Sequence, residues 1–401
     1  MRLLILFMTL ACFPIIAWSE SLEDLLVAKG LISRSEASET IDRSEVAKIY
    51  WKGGTVVEFP ENAFSTKIKT IIQSRYTFTD EDDSSSNQNT SSFRMRRVRL
   101  NISGNALREE FDYYVQVDFV GGKDASGARV PALLDAFLTW HVSDVVALRT
   151  GQFKTGISRQ NVNSSTQLQF PDRSIASEFF NLDRQIGAAV LGDWNSGNLQ
   201  ASAAIFNGES SGEGINRPGL DTKHTGVVNI RANLIGKMDA FTEGDIETTS
   251  GMAINSGLAA AFSQAAESGM DRDLQTINAD LNIKSEGASL HTEFYWQKYD
   301  PDSGMESEPI GFYIQGGYFL EPQVLEIAAR YAAIDCDNGL AGDDCSGVDD
   351  RQESSVSLNH FWWKHYLKAQ LAYVFEQVDL VDRPGSEIKT NKWMMQVSTN
   401  F

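Results

Sequence analysis

From residue 65 to residue 401 the chain alternates in polarity, and that alternation limits what it can fold into. In Phe93–Gly104, Val98, Leu100 and Ile102 lie on one side of an extended strand; Arg97, Arg99, Asn101 and Ser103 lie on the other. Arg94 and Arg96 stand at its start. A period of two fits a strand with one face against an apolar medium and the other against water or charge. Against a soluble core the arginines are an ordinary solvated surface. Against lipid they line a hole.

Sixteen such segments can be read: 65–79, 92–104, 111–120, 133–142, 145–154, 184–194, 198–207, 224–235, 253–263, 274–284, 288–299, 310–320, 324–334, 353–363, 365–376 and 391–401. A membrane strand needs ~9–11 residues, and single-residue alternation is the barrel signature. Long polar connections (80–91, 121–132, 155–183, 208–223, 264–273, 300–309, 335–352 and 377–390) alternate with short ones such as 143–144, 195–197 and 285–287. Outer-membrane barrels place long loops outside and short turns in the periplasm, whereas a sandwich has no reason for the regularity. The connection 236–252 disobeys, being long where a short turn belongs. Either a turn is extended there or the count slips to fourteen or eighteen. The last segment alternates Trp393, Met395, Val397, Thr399 and Phe401, similar to the carboxy-terminal signal that outer-membrane assembly machinery recognises. The expected fold is all-β, a transmembrane antiparallel β-barrel of sixteen strands with a short N-terminal helical segment.

The sequence divides in three. Residues 1–19 read as a signal peptide, with Arg2, an apolar run from Leu3 to Ala17 and the ending Ala17-Trp18-Ser19. Residues 20–50 read as a weakly amphipathic helical or coiled-coil segment, which would make a tether or a solvated leader. Residues 51–401 form the barrel. No later run approaches the ~20 apolar residues of a membrane helix. Outside the signal the cysteines are Cys336 and Cys345, expected to pair in an exported chain. A net charge of −19 argues against general nucleic-acid binding.

Six stretches carry a family likeness. Phe93–Gly104, Phe111–Asp118, Gly151–Lys154, Ile205–Gly208, Lys52-Gly53-Gly54 and Gly311–Leu320 resemble, in order, the phosphate-selective porin O and P family. The resemblance covers about residues 50 to 401. It implies a sixteen-stranded homotrimeric channel of the bacterial outer membrane, with the loop after the fifth strand folded into the pore. Independently, the longest connection counted above, 155–183, follows the fifth segment.

An anion in a narrow pore sheds water, and fixed cations replace it. Strand parity turns Arg75, Arg97, Arg99, Arg231 and Arg330 inward; Lys154, Arg159, Arg173 and Arg184 open, occupy or leave the loop. The resemblance places an adjacent arginine pair at Arg96 and Arg97, of which parity turns only Arg97 inward. Where the family carries Gly-Gly-Arg-Leu-Gln, this chain has Lys69-Thr70-Ile71-Ile72-Gln73, so Ile71 replaces a basic rung. Asp112, Asp118, Asp135 and Glu293 share the inward parity and offset the basic charge. The expected solutes are small anions such as phosphate; the rival is a non-selective diffusion pore. The expected surroundings are outer-membrane lipid and lipopolysaccharide, bridged to acidic outer loops through cations. An acidic loop of Asp335, Asp337, Asp343 and Asp344 lacks a full cation-ligand spacing. His141 beside Ser143 lacks an oxyanion-hole motif, and His291 and His360 lack a nearby nucleophile. Neither an enzyme, a metal site nor a cofactor is expected.

Overall fold

The computed structural model describes residues 27, 29, 30 and 47–401, apart from 60–63, 84–85, 107, 124–126, 128, 209–222, 268–269, 302–305, 338–344, 346 and 382–386. The signal, nearly all of the expected helical segment, Asp343 and Asp344 therefore lie outside the described residues.

A hairpin comes first, β1 (Lys48–Trp51) and β2 (Thr55–Phe59), turning at Lys52-Gly53-Gly54. It takes Lys48 to Tyr50 out of the expected helical stretch. Sixteen strands follow: β3 (Phe64–Asp83), β4 (Ser86–Ala106), β5 (Arg108–Lys123), β6 (Arg129–His141), β7 (Val146–Lys154), β8 (Arg184–Trp194), β9 (Leu199–Phe206) and β10 (Thr225–Ile235) make the first half. The second half is β11 (Met252–Glu267), β12 (Met270–Ser285), β13 (Ala288–Pro301), β14 (Ile310–Glu321), β15 (Leu325–Asp335), β16 (Val348–Trp363), β17 (Leu367–Leu380) and β18 (Glu387–Asn400). Each pairs antiparallel with the next, and β18 returns to β3 through Asn400↔Ile71 to Lys389↔Asp82. The result is a closed sixteen-strand barrel. Below that seam Phe401 exchanges backbone hydrogen bonds with Thr70, and β2 covers Phe64 to Ile68. The edge of β3 is thus paired along its length, as a sheet in lipid requires.

The burial pattern is that of a soluble protein turned inside out. Along β12, Thr276, Asn278, Asp280, Asn282 and Lys284 are buried inside, while Ile277 is exposed. Along β17 and β18, Lys368, Gln370, Gln396 and Ser398 are interior; Leu371, Trp393, Met395 and Val397 face out. This is the alternation that lipid outside and water or polar packing inside impose. Trp51, Trp140, Trp194, Tyr318, Trp362 and Trp363 are exposed near the short-turn ends, where indole and phenol rings suit the membrane interface.

All sixteen expected segments are strands, with different ends. The connections expected at 80–91 and 264–273 are largely paired strand, continuing to Asp83↔Ser86 and Glu267↔Met270. Their apolar–polar rhythm stops where lipid stops, because a paired strand in water needs no apolar face. At the other end the β12–β13 turn is two residues, Glu286 and Gly287, with φ of 51° and 85°, the left-handed pair that tight hairpins favour. The long connection 236–251 is a genuine extension of a short-side turn. Thr242, Glu243, Asp245 and Ile246 are buried, so it folds back into the lumen rather than into the periplasm.

Candidate functional site: a constricted lumen

The segment 155–183 crosses the barrel interior. It contains two short helices, α1 (Arg159–Val162) and α2 (Ile175–Phe180). Ser158 and Ser174 cap them by accepting from Asn161 N and Ser177 N, each at 3.1 Å, which satisfies first-turn amides with no water at hand. On the far wall, Glu293 accepts the backbone N–H groups of Arg159 at 2.9 Å and Gln160 at 2.7 Å. Asn359 Nδ2 donates to Gln169 O at 2.9 Å, Lys368 Nζ to Leu168 O at 2.6 Å, and Gln73 Nε2 to Ser165 O at 3.2 Å. Phe180 stacks on Tyr295 in an apolar cluster that includes the Cys336–Cys345 disulfide. Inward amides and cations of β12 to β17 thus serve a folded loop.

The turn 236–251 meets that loop from the periplasmic end. Glu243 accepts from Gln160 Nε2 at 2.9 Å, Gln169 N at 2.8 Å and Gln315 Nε2 at 2.8 Å. Lys284 Nζ donates to Thr242 O at 2.7 Å, and Arg159 Nη1 to Ala240 O at 3.1 Å. Loop and turn together fill the lumen beside β11 to β17. A chamber of about 940 Å³ stays open against β3 to β10, roofed by 155–165 and reaching turn 143–146.

The expected pathway residues divide by partner. Arg75 is fully buried and holds Asp172 with both terminal nitrogens, while Nε donates to Gln396 at 2.9 Å. Arg99 pairs with Asp118 at 2.8 Å, Arg184 with Asp135 at 3.0 Å, and Arg330 with Glu353 at 2.7 Å. Arg159 and Arg231 share Asp280, and Arg231 also donates to Gly156 O at 3.0 Å. Lys154 Nζ donates to the carbonyls of Asn161, Val162 and Asn163 at 2.6, 3.0 and 3.3 Å. Arg173 joins it there, bonding Gln160, Asn161 and Asn163 carbonyls, with Glu178 at 3.6 Å. These two cations meet the carbonyl end of α1, where the helix dipole is negative. Arg97 donates to Gln73 Oε1 at 2.9 Å and, among the described residues, has no carboxylate within reach.

Parity misplaces one neighbour. Gln73 pairs with Arg97 but Ser74 with Met95, leaving Arg96 as the extra residue of a β-bulge. Arg96 therefore turns inward, its Nε 3.2 Å from Asp172 Oδ1, where parity had turned only Arg97 inward. The shift also brings Arg94 opposite Arg75 on the lumen face. Burial raises the Asp172 carboxyl, but Arg75 and Arg96 outweigh it and hold it well below the usual carboxylate range. Along one wall the basic groups run Arg94, Arg96, Arg97, Arg99, Lys69 and Lys67. Ile71, opposite Arg99, interrupts the β3 side of it.

Further cations escape the inward set read from sequence, among them Lys67, Lys69, Arg149, Lys284 and Lys368. Arg149 follows plainly from parity, since Leu148 is exposed to lipid and Ala147 and Phe153 are buried. Arg94 could not be read this way, because the bulge is silent in the sequence. The chamber is lined by six basic residues (Lys69, Arg99, Arg149, Lys154, Arg184, Arg231) and four acidic ones (Asp112, Asp135, Asp144, Asp193), leaving a positive balance. His141 binds Asp112 at 2.7 Å in the exposed rim, with no nucleophile in that pair.

Residues 67–401 match the sequence profile of the family described as Phosphate-selective porin O and P. Among solved structures, the anion-selective porin of Comamonas acidovorans aligns with a TM-score of 0.60 at 13% identity, covering 84% of this chain and 100% of its own. The outer-membrane channel DcaP of Acinetobacter baumannii gives 0.61 at 13%, covering 84% and 98%. OmpT of Vibrio cholerae gives 0.55 at 9%, covering 84% and 100%. At these identities the likeness is one of fold. No curated protein matches the sequence significantly. With the family profile running from within the first barrel strand to the last residue and the strands closing as a porin's do, the chain belongs to the phosphate-selective porin O and P family and is a channel of the bacterial outer membrane.

Proposed function

We propose that the protein is a passive channel for small anions, phosphate or related oxyanions, assembled as a homotrimer in the outer membrane. The path follows the β3–β4 wall, from Arg94 and Arg96 at the outer mouth past Arg97 to Arg99, Lys69 and Lys67. The observation that carries this reading is an imbalance of partners: Arg94, Arg97, Lys67 and Lys69 have no carboxylate within ion-pair distance among the described residues. By contrast Arg159, Arg330 and Arg75 are consumed in holding the loop. Unpaired guanidinium and ammonium groups on one wall raise the local anion concentration and replace shed water. The guanidinium fork suits two oxygens of one phosphate. Several moderate sites in series favour passage over trapping.

A non-selective pore is the second reading, favoured by Ile71 in the basic row and by Asp112, Asp144 and Asp193 on the chamber wall. The zero-current potential of the purified protein in a planar bilayer under a KCl gradient separates the two. A potential near the chloride equilibrium value, with chloride current blocked by phosphate at low salt, supports the first. Arg97→Ala should then weaken the phosphate block about tenfold, the loss of one charge-assisted contact. A potential near zero or of cation sign would leave only the second.

A further inference from the structure

This inference rests on the anion-channel reading and narrows it to a class of solute. The chamber has two unlike walls. On β3 to β5 it presents mainly polar groups, Lys69, Arg99, Asn101, Ser103 and Gln116; on β6 to β9 an apolar patch of Phe137, Ala147, Phe153, Ala189, Leu191 and Ala204 lies among polar residues such as Thr139, Gln200 and Ser202. Three cations stand on that side, Lys154 and Arg184 at the loop ends of β7 and β8 and Arg149 among the apolar residues. Arg149 Cζ lies 4.3 Å over the Phe137 ring and 5.6 Å from the Phe153 ring. Phe137 is itself stacked on Tyr114, at 5.3 Å and 17°. Nε donates to Thr139 Oγ1 at 3.1 Å.

That is the single protein hydrogen bond Arg149 makes among the described residues, and it forms no ion pair there. Its two terminal nitrogens are left for something else. In the same chamber Arg184 has its terminal nitrogens committed to Asp183 and Asp135, and Arg99 is paired through Nε with Asp118. A guanidinium stacked on a ring is held in plane and pre-oriented, so its fork can take a carboxylate with little loss of freedom. The apolar surface beside it gives no hydrogen bonds to an inorganic oxyanion, but covers a hydrocarbon body at no polar cost. The volume lies within the ~300–1,000 Å³ of ordinary small-molecule sites.

We propose that the chamber is a transient binding site for an organic anion, its carboxylate on the Arg149 fork and its flat apolar body on the β6–β9 wall. Inorganic phosphate would pass on the β3–β4 side without using Arg149. The experiment is block of the KCl current through single channels by benzoate, acetate and inorganic phosphate, each added from the periplasmic side. Benzoate should half-block at a concentration about tenfold below acetate, the ratio that ~1.4 kcal/mol of ring contact supplies. Arg149→Lys keeps the charge and loses the fork and the stack, and should bring the two within about twofold of each other. Phe137→Leu, which removes the supporting ring while keeping bulk, should narrow the ratio too. Equal block by benzoate and acetate in the unmodified channel, or an undiminished ratio in both variants, overturns the proposal. So does block by phosphate alone. The zero-current potential in KCl, measured on the same bilayers before any addition, keeps the outcomes apart: cation selectivity sinks the anion-channel reading itself, whereas anion selectivity with equal block sinks only this one.

Discussion

On β12 to β17 the inward side chains meet folded protein; on β4 to β9 they meet a chamber. Both walls follow the same alternation, and both turn charged residues inward. In the filled half Glu293, Asp280, Arg159, Arg330 and Lys368 are buried and each bonds the loop or a partner fixed to it. In the open half Arg94, Arg149 and Lys69 meet no carboxylate among the described residues. Parity therefore says which residues enter the lumen, but not whether they serve the structure or the solute. That is decided by where 155–183 and 236–251 lie down.

The comparison breaks most severely if the filled half is emptied. Arg159→Ala would leave Asp280 buried with only the longer Arg231 contact at 3.6 Å and remove a bond to the turn. Losing one member of a buried pair costs about 3 kcal/mol or more. The expected outcome is a lower unfolding temperature in detergent together with larger, noisier single-channel currents as the loop loosens. An unchanged conductance would mean that the loop's position does not depend on this anchor.

A moderate effect sharpens the contrast from the outer mouth. Asp172→Asn removes the carboxylate that occupies Arg75 and Arg96. The zero-current potential should move toward the chloride equilibrium value, and phosphate block should strengthen. Acid should not imitate the substitution. Because the Asp172 pKa is depressed, its ion pairs are fully present above the ordinary carboxylate range near ~4 and weaken only as pH falls through the depressed value. Recordings at about pH 7 and pH 5 should therefore agree on this contribution. A change at pH 5 matching that of the variant would show that Asp172 is protonated there.

The smallest expected effect tests the interrupted row. Ile71→Arg adds a guanidinium opposite Arg99, which is already paired with Asp118. Phosphate block should strengthen about twofold to fivefold, as one added partly solvated contact allows. No change would mean that the solute does not approach β3 at that level.

Much of this architecture could be read residue by residue, because lipid leaves a strong imprint. Ile277, Leu281 and Ile283 against Thr276, Asn278 and Asp280 need no partner to be recognised as a two-faced strand. The imprint fades outside the bilayer, which is why Asp80 to Asp83 read as loop yet pair as strand. It also carries no mark of a bulge: one extra residue at Arg96 reverses the facing of Arg94 without altering composition. The connection 236–252 announced itself by length, but its destination depends on Glu243 meeting Gln160, Gln169 and Gln315, three residues from distant parts of the chain. Arg149 was legible from its neighbours; its freedom from carboxylates was not, since that is a property of the assembled chamber.

The loop that narrows the lumen also lies across the seam where β3 meets β18. From β3, Gln73 reaches Ser165 and Arg75 reaches Pro171 and Asp172. From the other side, Lys368 and Gln370 of β17 reach Leu168. Joining two strands more than three hundred positions apart in the chain carries a large entropic penalty when they must find each other unaided. Here each margin can dock separately on a common segment. Closure of the cylinder would then be an encounter between neighbours already held at high effective concentration, the service a keystone gives an arch.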